Sequence, residues 1–126
     1  MRDSGLWHPR LAALVAGMGH TDTTIVVADA GLPVPPGVEV VQLAVTRGVP
    51  AFLPVLAAIT AELVVEEAIV AEELTDEAIR AGLDGYPLST LPHEEFKVAT
   101  RRARAIVRTG EATPYANVIL RAGVPF

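Results

Sequence analysis

The chain contains no cysteine, so disulfide staples and thiolate chemistry are excluded at the outset. Basic residues are also in short supply. Ten Lys and Arg stand against fifteen Asp and Glu, a formal net charge of −5 that argues against a nucleic-acid backbone as the main partner. No apolar run reaches the roughly 20 residues of a membrane-spanning helix. The longest candidate, VPAFLPVLAAITAELVV, is broken by Pro50, Pro54 and Glu62. A secretory leader is a poor fit near the start: Arg10 precedes LAALVAGMG, but that run is short, Asp3 offsets the charge, and no small-residue cleavage site follows. The expectation is a cytoplasmic protein that engages neither membrane nor nucleic acid.

Aromatics supply only 5% of the 126 residues, yet 51% are hydrophobic, so the apolar mass lies in Ala, Val, Leu and Ile along the whole length. That length suits one domain, residues 1–126, with no room for a second core. A domain of this size buries about two-thirds of its unfolded surface. The aliphatic excess left outside needs a sink, and association of subunits provides one.

Hydrophobic periodicity divides the chain into alternating elements. Leu11, Leu14, Val15 and Met18 follow the helical spacing, with Pro9 in the first turn and Gly19 as the C-terminal cap. Residues 25–28 read as a buried strand closed by the turn Ala30-Gly31-Leu32-Pro33, and 38–45 as a second strand. Residues 52–63 suit a helix and 64–71, rich in Val and Ile, a third strand. Thr75 is the expected N-cap of a short helix over 76–81 that Gly82 ends. Pro87 confines a strand over 86–91 to an edge or a strand start. A helix over 94–104 and strands at 105–108 and 117–120 complete the chain. Strands alternating with helices imply a layered α/β fold with a largely parallel sheet of about six strands.

Several chemistries lack their motifs. Gly17-Met18-Gly19 ends a helix instead of following a strand, so it is no dinucleotide fingerprint, and no Walker-type lysine exists. Neither serine, Ser4 or Ser89, sits in a nucleophile elbow. His20, Asp22 and His93 have no recognisable metal-ligand spacing, and no metal is expected. The pairs Glu66-Glu67 and Glu72-Glu73 read as solvated positions or interface rims, and Arg101, Arg104 and Arg108 as a charged helix surface.

Two residues resist such readings. His20 follows a helix C-terminus, where the dipole favours a cationic imidazole, although a lone histidine is ordinarily a surface or capping residue. Asp29 follows a buried strand at the carboxyl end, where α/β sheets bind ligands. Spacing alone does not bring the two together.

Gly19-His20-Thr21-Asp22 followed by Asp29-Ala30-Gly31-Leu32-Pro33 resembles the N-terminal signature of the D-ribose pyranases. Three later segments resemble that family in order: His93-Glu94-Glu95-Phe96-Lys97, Arg108-Thr109-Gly110-Glu111 and Thr113-Pro114-Tyr115-Ala116-Asn117. The ending Ala122-Gly123-Val124-Pro125-Phe126 is similar as well. The pattern departs in two places: Thr23-Thr24 stand where one residue is expected, and the stretch between Glu73 and His93 is short.

The resemblance implies a three-layer α/β/α sandwich with a mixed, largely parallel sheet. It implies an isomerase that exchanges β-pyranose and β-furanose ribose without a cofactor. The implied acid is His20, and the implied sugar contacts are Asp29, His93, Lys97, Tyr115, Ala116 and Asn117. It also implies a large homo-oligomer, a ring of eight or ten copies, with each site shared between subunits. Two alternatives stay open: an L-fucose-type mutarotase, and a non-catalytic sugar-binding or regulatory module.

Overall fold

The computed structural model describes residues 1–19 and 23–126. Six strands form one sheet: β1 (Thr24–Ala28), β2 (Glu39–Gln42), β3 (Val65–Ala71), β4 (Leu88–Leu91), β5 (Ala105–Arg108) and β6 (Val118–Ala122). Their spatial order is β2-β5-β1-β6-β3-β4. β1 pairs with β5 in parallel, β5 with β2 and β3 with β4 likewise, while β6 lies antiparallel between β1 and β3. Every strand but β6 therefore points the same way. The carboxyl ends of β1, β3, β4 and β5 and the amino end of β6 all reach one rim of the sheet.

The sheet is covered on both faces, as a sheet rich in parallel pairs requires. Successive residues of β1 show the division: Ile25 and Val27 join one apolar cluster, Val26 and Ala28 the other. The first cluster takes the apolar faces of α1 (Pro9–Gly17), α2 (Phe52–Thr60) and α3 (Glu77–Ala81), through residues such as Leu14, Phe52, Ile59 and Ile79. The second is smaller and is covered by α4 (His93–Ala99), which inserts the fully buried Phe96. The result is the expected three-layer sandwich, with unequal outer layers. Among the described residues no helix is long and apolar enough to cross a membrane.

Element boundaries differ from expectation where side chains compete with the backbone. α4 stops at Ala99 and tightens into a 3₁₀ turn over Thr100–Arg102, short of the expected end at Arg104. The Thr100 hydroxyl donates to the Lys97 carbonyl at 2.6 Å, a local bond of the kind that disturbs helix propagation. β2 ends at Gln42, whose side-chain oxygen accepts from the Ala44 N–H at 3.3 Å. α3 is capped by Asp76, not Thr75: its carboxylate accepts from the Ile79 N–H at 3.0 Å. α1 ends one turn position early, with Met18 as its extended C-cap instead of Gly19. Arg101, Arg104 and Arg108 share no helix face, because Arg108 belongs to β5 and its guanidinium donates to the Leu32 carbonyl at 2.6 Å. β4 does occupy a sheet edge, as Pro87 requires.

Candidate functional site

A cavity of about 350 Å³ opens at the shared rim, lined by Asp29, Leu32, His93, Glu111, Thr113, Tyr115 and Asn117 among others. It lies outside the carboxyl ends of the strands, where open α/β sheets place their ligands. The lining side chains arrive on the segments that follow a strand, or precede the reversed one. Asp29 follows β1, Glu111 follows β5, His93 follows β4 and Asn117 precedes β6. The antiparallel insertion of β6 is what brings a segment near the end of the chain beside Asp29.

Asp29 is held from three directions. Its N–H donates to the Asn117 side-chain oxygen at 2.7 Å, and the Asn117 amide nitrogen donates back to one carboxylate oxygen at 3.3 Å. The other carboxylate oxygen accepts from the Gly31 N–H at 3.0 Å. Asn117 is only 1% exposed, so its amide is spent on orienting Asp29 within the chain. Thr109 adds a second tether, donating through both its N–H and its hydroxyl to the Ala28 carbonyl at 2.9 and 2.8 Å.

His93 opens α4, and its backbone N–H donates to the Glu73 carboxylate at 3.0 and 3.1 Å. A helix whose own N-cap, Pro92, offers no side-chain acceptor thereby gains one from the loop after β3. The imidazole meets the Tyr115 ring edge-on, with centroids 4.9 Å apart and planes at 77°. Tyr115 has φ of 61°, the left-handed region that a bulky side chain adopts only when its surroundings over-determine it. Among the described residues it is the one non-glycine residue with positive φ.

The cavity thus brings together Asp29, His93, Tyr115 and Asn117 from the expected set. Ala116 is fully buried behind it. Lys97 stands apart: its ammonium pairs with Glu94 at 2.9 Å, and it lines a neighbouring cavity with Pro33, Glu94 and Arg101. His20 and Asp22 lie outside the described residues.

Glu111 is the residue to which sequence reasoning assigned no role. One carboxylate oxygen accepts from the Phe52 N–H at the start of α2 at 2.9 Å; the other accepts from the Thr113 hydroxyl at 2.9 Å and its N–H at 3.3 Å. The Phe52 N–H holds the carboxyl below the ordinary carboxylate value, against an opposing push from burial, and Thr113 adds to the lowering. The signal was present: Glu111 follows a buried strand at its carboxyl end, as Asp29 does.

Chemically, the arrangement suits an uncharged polyhydroxyl ligand. A fixed carboxylate accepts from hydroxyls, while an imidazole and a phenol donate or accept beside apolar walls. Comparison with known proteins agrees. The family model described as the RbsD / FucU transport protein family matches residues 1–125. A D-ribose pyranase of Geobacillus kaustophilus is 48% identical, covering all of this chain and 96% of that protein. One from Paracidovorax citrulli is 53% identical, with both chains covered in full. The structure of Bacillus subtilis RbsD complexed with D-ribose superposes with a TM-score of 0.93 at 43% identity, over the whole of both chains. With a family model matching residues 1–125, a full-length relative at 48% identity and a full-length structural match at a TM-score of 0.93, this chain belongs to the RbsD/FucU family.

Proposed function

We infer that this chain is an isomerase that interconverts the β-pyranose and β-furanose forms of D-ribose. The observation that carries the reading is the full-length match, at a TM-score of 0.93, to a chain whose structure holds D-ribose. The D-ribose pyranases, similar over the full length of this chain, support it as well. Residues 1–126 act as one domain in this reading, and the cytoplasm is the compartment in which it works.

Ring opening moves one proton onto the ring oxygen and removes another from the anomeric hydroxyl. The open aldehyde then recloses through a different hydroxyl, and the protons return, so the exchange is balanced without a redox or group-transfer partner. An imidazole with a pKa near roughly 6.5 serves either direction at neutral pH. His20 is our choice for the acid that protonates the ring oxygen. Asp29 accepts from sugar hydroxyls; His93 and Tyr115 supply the facing donors; Lys97, Ala116 and Asn117 complete the set, with Asn117 acting through Asp29.

The chain also works as a large homo-oligomer in this reading, with each site completed by a neighbouring copy. Exposed aliphatic side chains such as Val40, Leu88 and Val98 are the surface such contacts would bury.

Magnetisation-transfer NMR on ribose at equilibrium tests the activity. Catalytic amounts of protein should accelerate pyranose–furanose exchange, and His20→Ala should abolish the acceleration while ribose binding survives. Unchanged exchange with wild-type protein would refute the reading. Faster anomer exchange of L-fucose than of ribose would assign the mutarotase activity instead, and ribose binding without exchange would leave a binding module.

A further inference from the structure

The turn that carries Tyr115 has an unusual support. Residues 113–115 leave the rim, place Tyr115 at φ 61°, and return to β6 through a bond from the Asn117 N–H to the Tyr115 carbonyl at 2.8 Å. A left-handed aromatic residue is strained unless its neighbours hold it. Tyr115 is 37% exposed, so core packing does not do so. Among the described residues, the hydrogen bonds that reach this turn from outside come from Glu111. Its carboxylate spans two elements: Phe52 at the amino end of α2 on one side, Thr113 on the other. Its backbone is fixed independently, by its N–H to the Thr109 hydroxyl at 3.1 Å and by the Ala30 N–H to its carbonyl at 2.9 Å. Glu111 and Thr113 also form the wall between the rim cavity and a second cavity bounded by Ala51, Pro54 and Ile79.

We propose that Glu111 is a positioning residue: by bridging the α2 amino terminus to Thr113 it fixes the 113–115 turn and sets the Tyr115 ring against His93. The inference rests on the sugar-site reading for its catalytic consequence, but the placement of Tyr115 is a separate claim. Glu111 is not a proton donor to the sugar. Both its oxygens are occupied as acceptors, and the same bonds favour the ionised form. Glutamine replaces it only in part: its oxygen can accept from Phe52 and its nitrogen can donate to the Thr113 hydroxyl, but the Thr113 N–H loses its acceptor and both bonds lose their charge assistance.

The two tyrosines, Tyr86 and Tyr115, make the test tractable. Protein labelled with fluorotyrosine gives two ¹⁹F signals, assigned by Tyr86→Phe. Glu111→Gln and Thr113→Val should each shift or broaden the Tyr115 signal and leave Tyr86 in place; Thr113→Ser should restore it. In ribose exchange, both variants should raise KM up to about tenfold, the size of one lost hydrogen bond between the Tyr115 phenol and the sugar, with kcat changed less than about twofold. Thr113→Val leaves the Phe52 bond intact, so it should lower the melting temperature less than Glu111→Gln while moving the Tyr115 signal as far, which separates positioning from stability. An unmoved Tyr115 signal in both variants overturns the proposal. So does a moved signal with unchanged KM and kcat. Absence of exchange in the wild-type protein refutes the pyranase reading instead, and the ¹⁹F comparison still decides whether Glu111 places Tyr115.

Discussion

Asn117 lines the rim cavity and at the same time orients its neighbour Asp29. Its amide closes a two-bond ring with Asp29, and it is only 1% exposed. Replacing it with aspartate keeps the shape and sets a second carboxylate beside the first. Two carboxylates in one site cannot both ionise cheaply, so one must hold a proton. Asn117→Asp should therefore bind ribose more weakly than wild type at pH 8, with the deficit shrinking as pH falls toward about 5. Ligand-observed NMR titrations at several pH values check this. Glu111 titrates in the opposite sense. Its folded pKa lies below the ordinary 4.5, so its stabilisation is complete above that value and is lost as pH falls through the lowered one. Melting temperatures of wild type and Glu111→Gln should differ at pH 7 and converge in acid. The other ionisable side chains bordering its two cavities, Asp29, His93, Tyr115 and Asp76, are common to both proteins and cancel in the comparison.

At the scale of elements, the rim depends on how loops dock behind it. Gly110 sits where the turn through residues 46–50 crosses β5: its N–H donates to the Pro50 carbonyl at 2.8 Å and its carbonyl accepts from the Gly48 N–H at 2.6 Å. A Cβ there would lie 2.5 Å from the Val49 oxygen and 2.6 Å from the Thr46 oxygen, both backbone atoms that cannot swing aside. Gly110→Ala should cost about 1–3 kcal/mol in denaturant unfolding, the range for overpacking, and should raise KM because Glu111 is the next residue. These elements were legible to different degrees. The β-branched runs of β1 and β3 stood out because they are a local property, whereas β4, with Thr90 as its one β-branched residue, was marked mainly by its flanking turn signals. The strand order was not legible, since the reversed placement of β6 depends on pairing with β1 and β3 far away in the chain. The end of α4 was missed because Thr100 bonds back to Lys97, which a periodicity count does not see. Asp29 could be flagged from its strand; its bond to Asn117, 88 residues on, could not. Lys97 shares the face of His93 by spacing, yet Glu94 at i−3 claims its ammonium.

For the whole molecule, the unequal outer layers bear on assembly. α1, α2 and α3 cover one face, while α4 and its 3₁₀ turn cover the other with Phe96 as the main buried anchor. Removing that ring, Phe96→Ala, should cost roughly 3–5 kcal/mol, because little else on that side can collapse into the space. Beside Phe96 on the same short helix, Val98 is 52% exposed, next to a cavity shared by Ile69, Ile119, Glu95 and Arg102. A lone chain gains nothing from valine there, whereas a subunit contact would bury it. If copies associate through this face, Val98→Asp replaces an apolar contact by a carboxylate that must be desolvated there and should dissociate the assembly without unfolding the chain, since the position is already open to water. Sedimentation velocity reads the size and magnetisation transfer reads ribose exchange on the same samples. With a site completed by a neighbouring copy, size and turnover should fall together, in this variant and on dilution of the wild type. A dissociated Val98→Asp protein that retains full turnover would place the entire site within one chain.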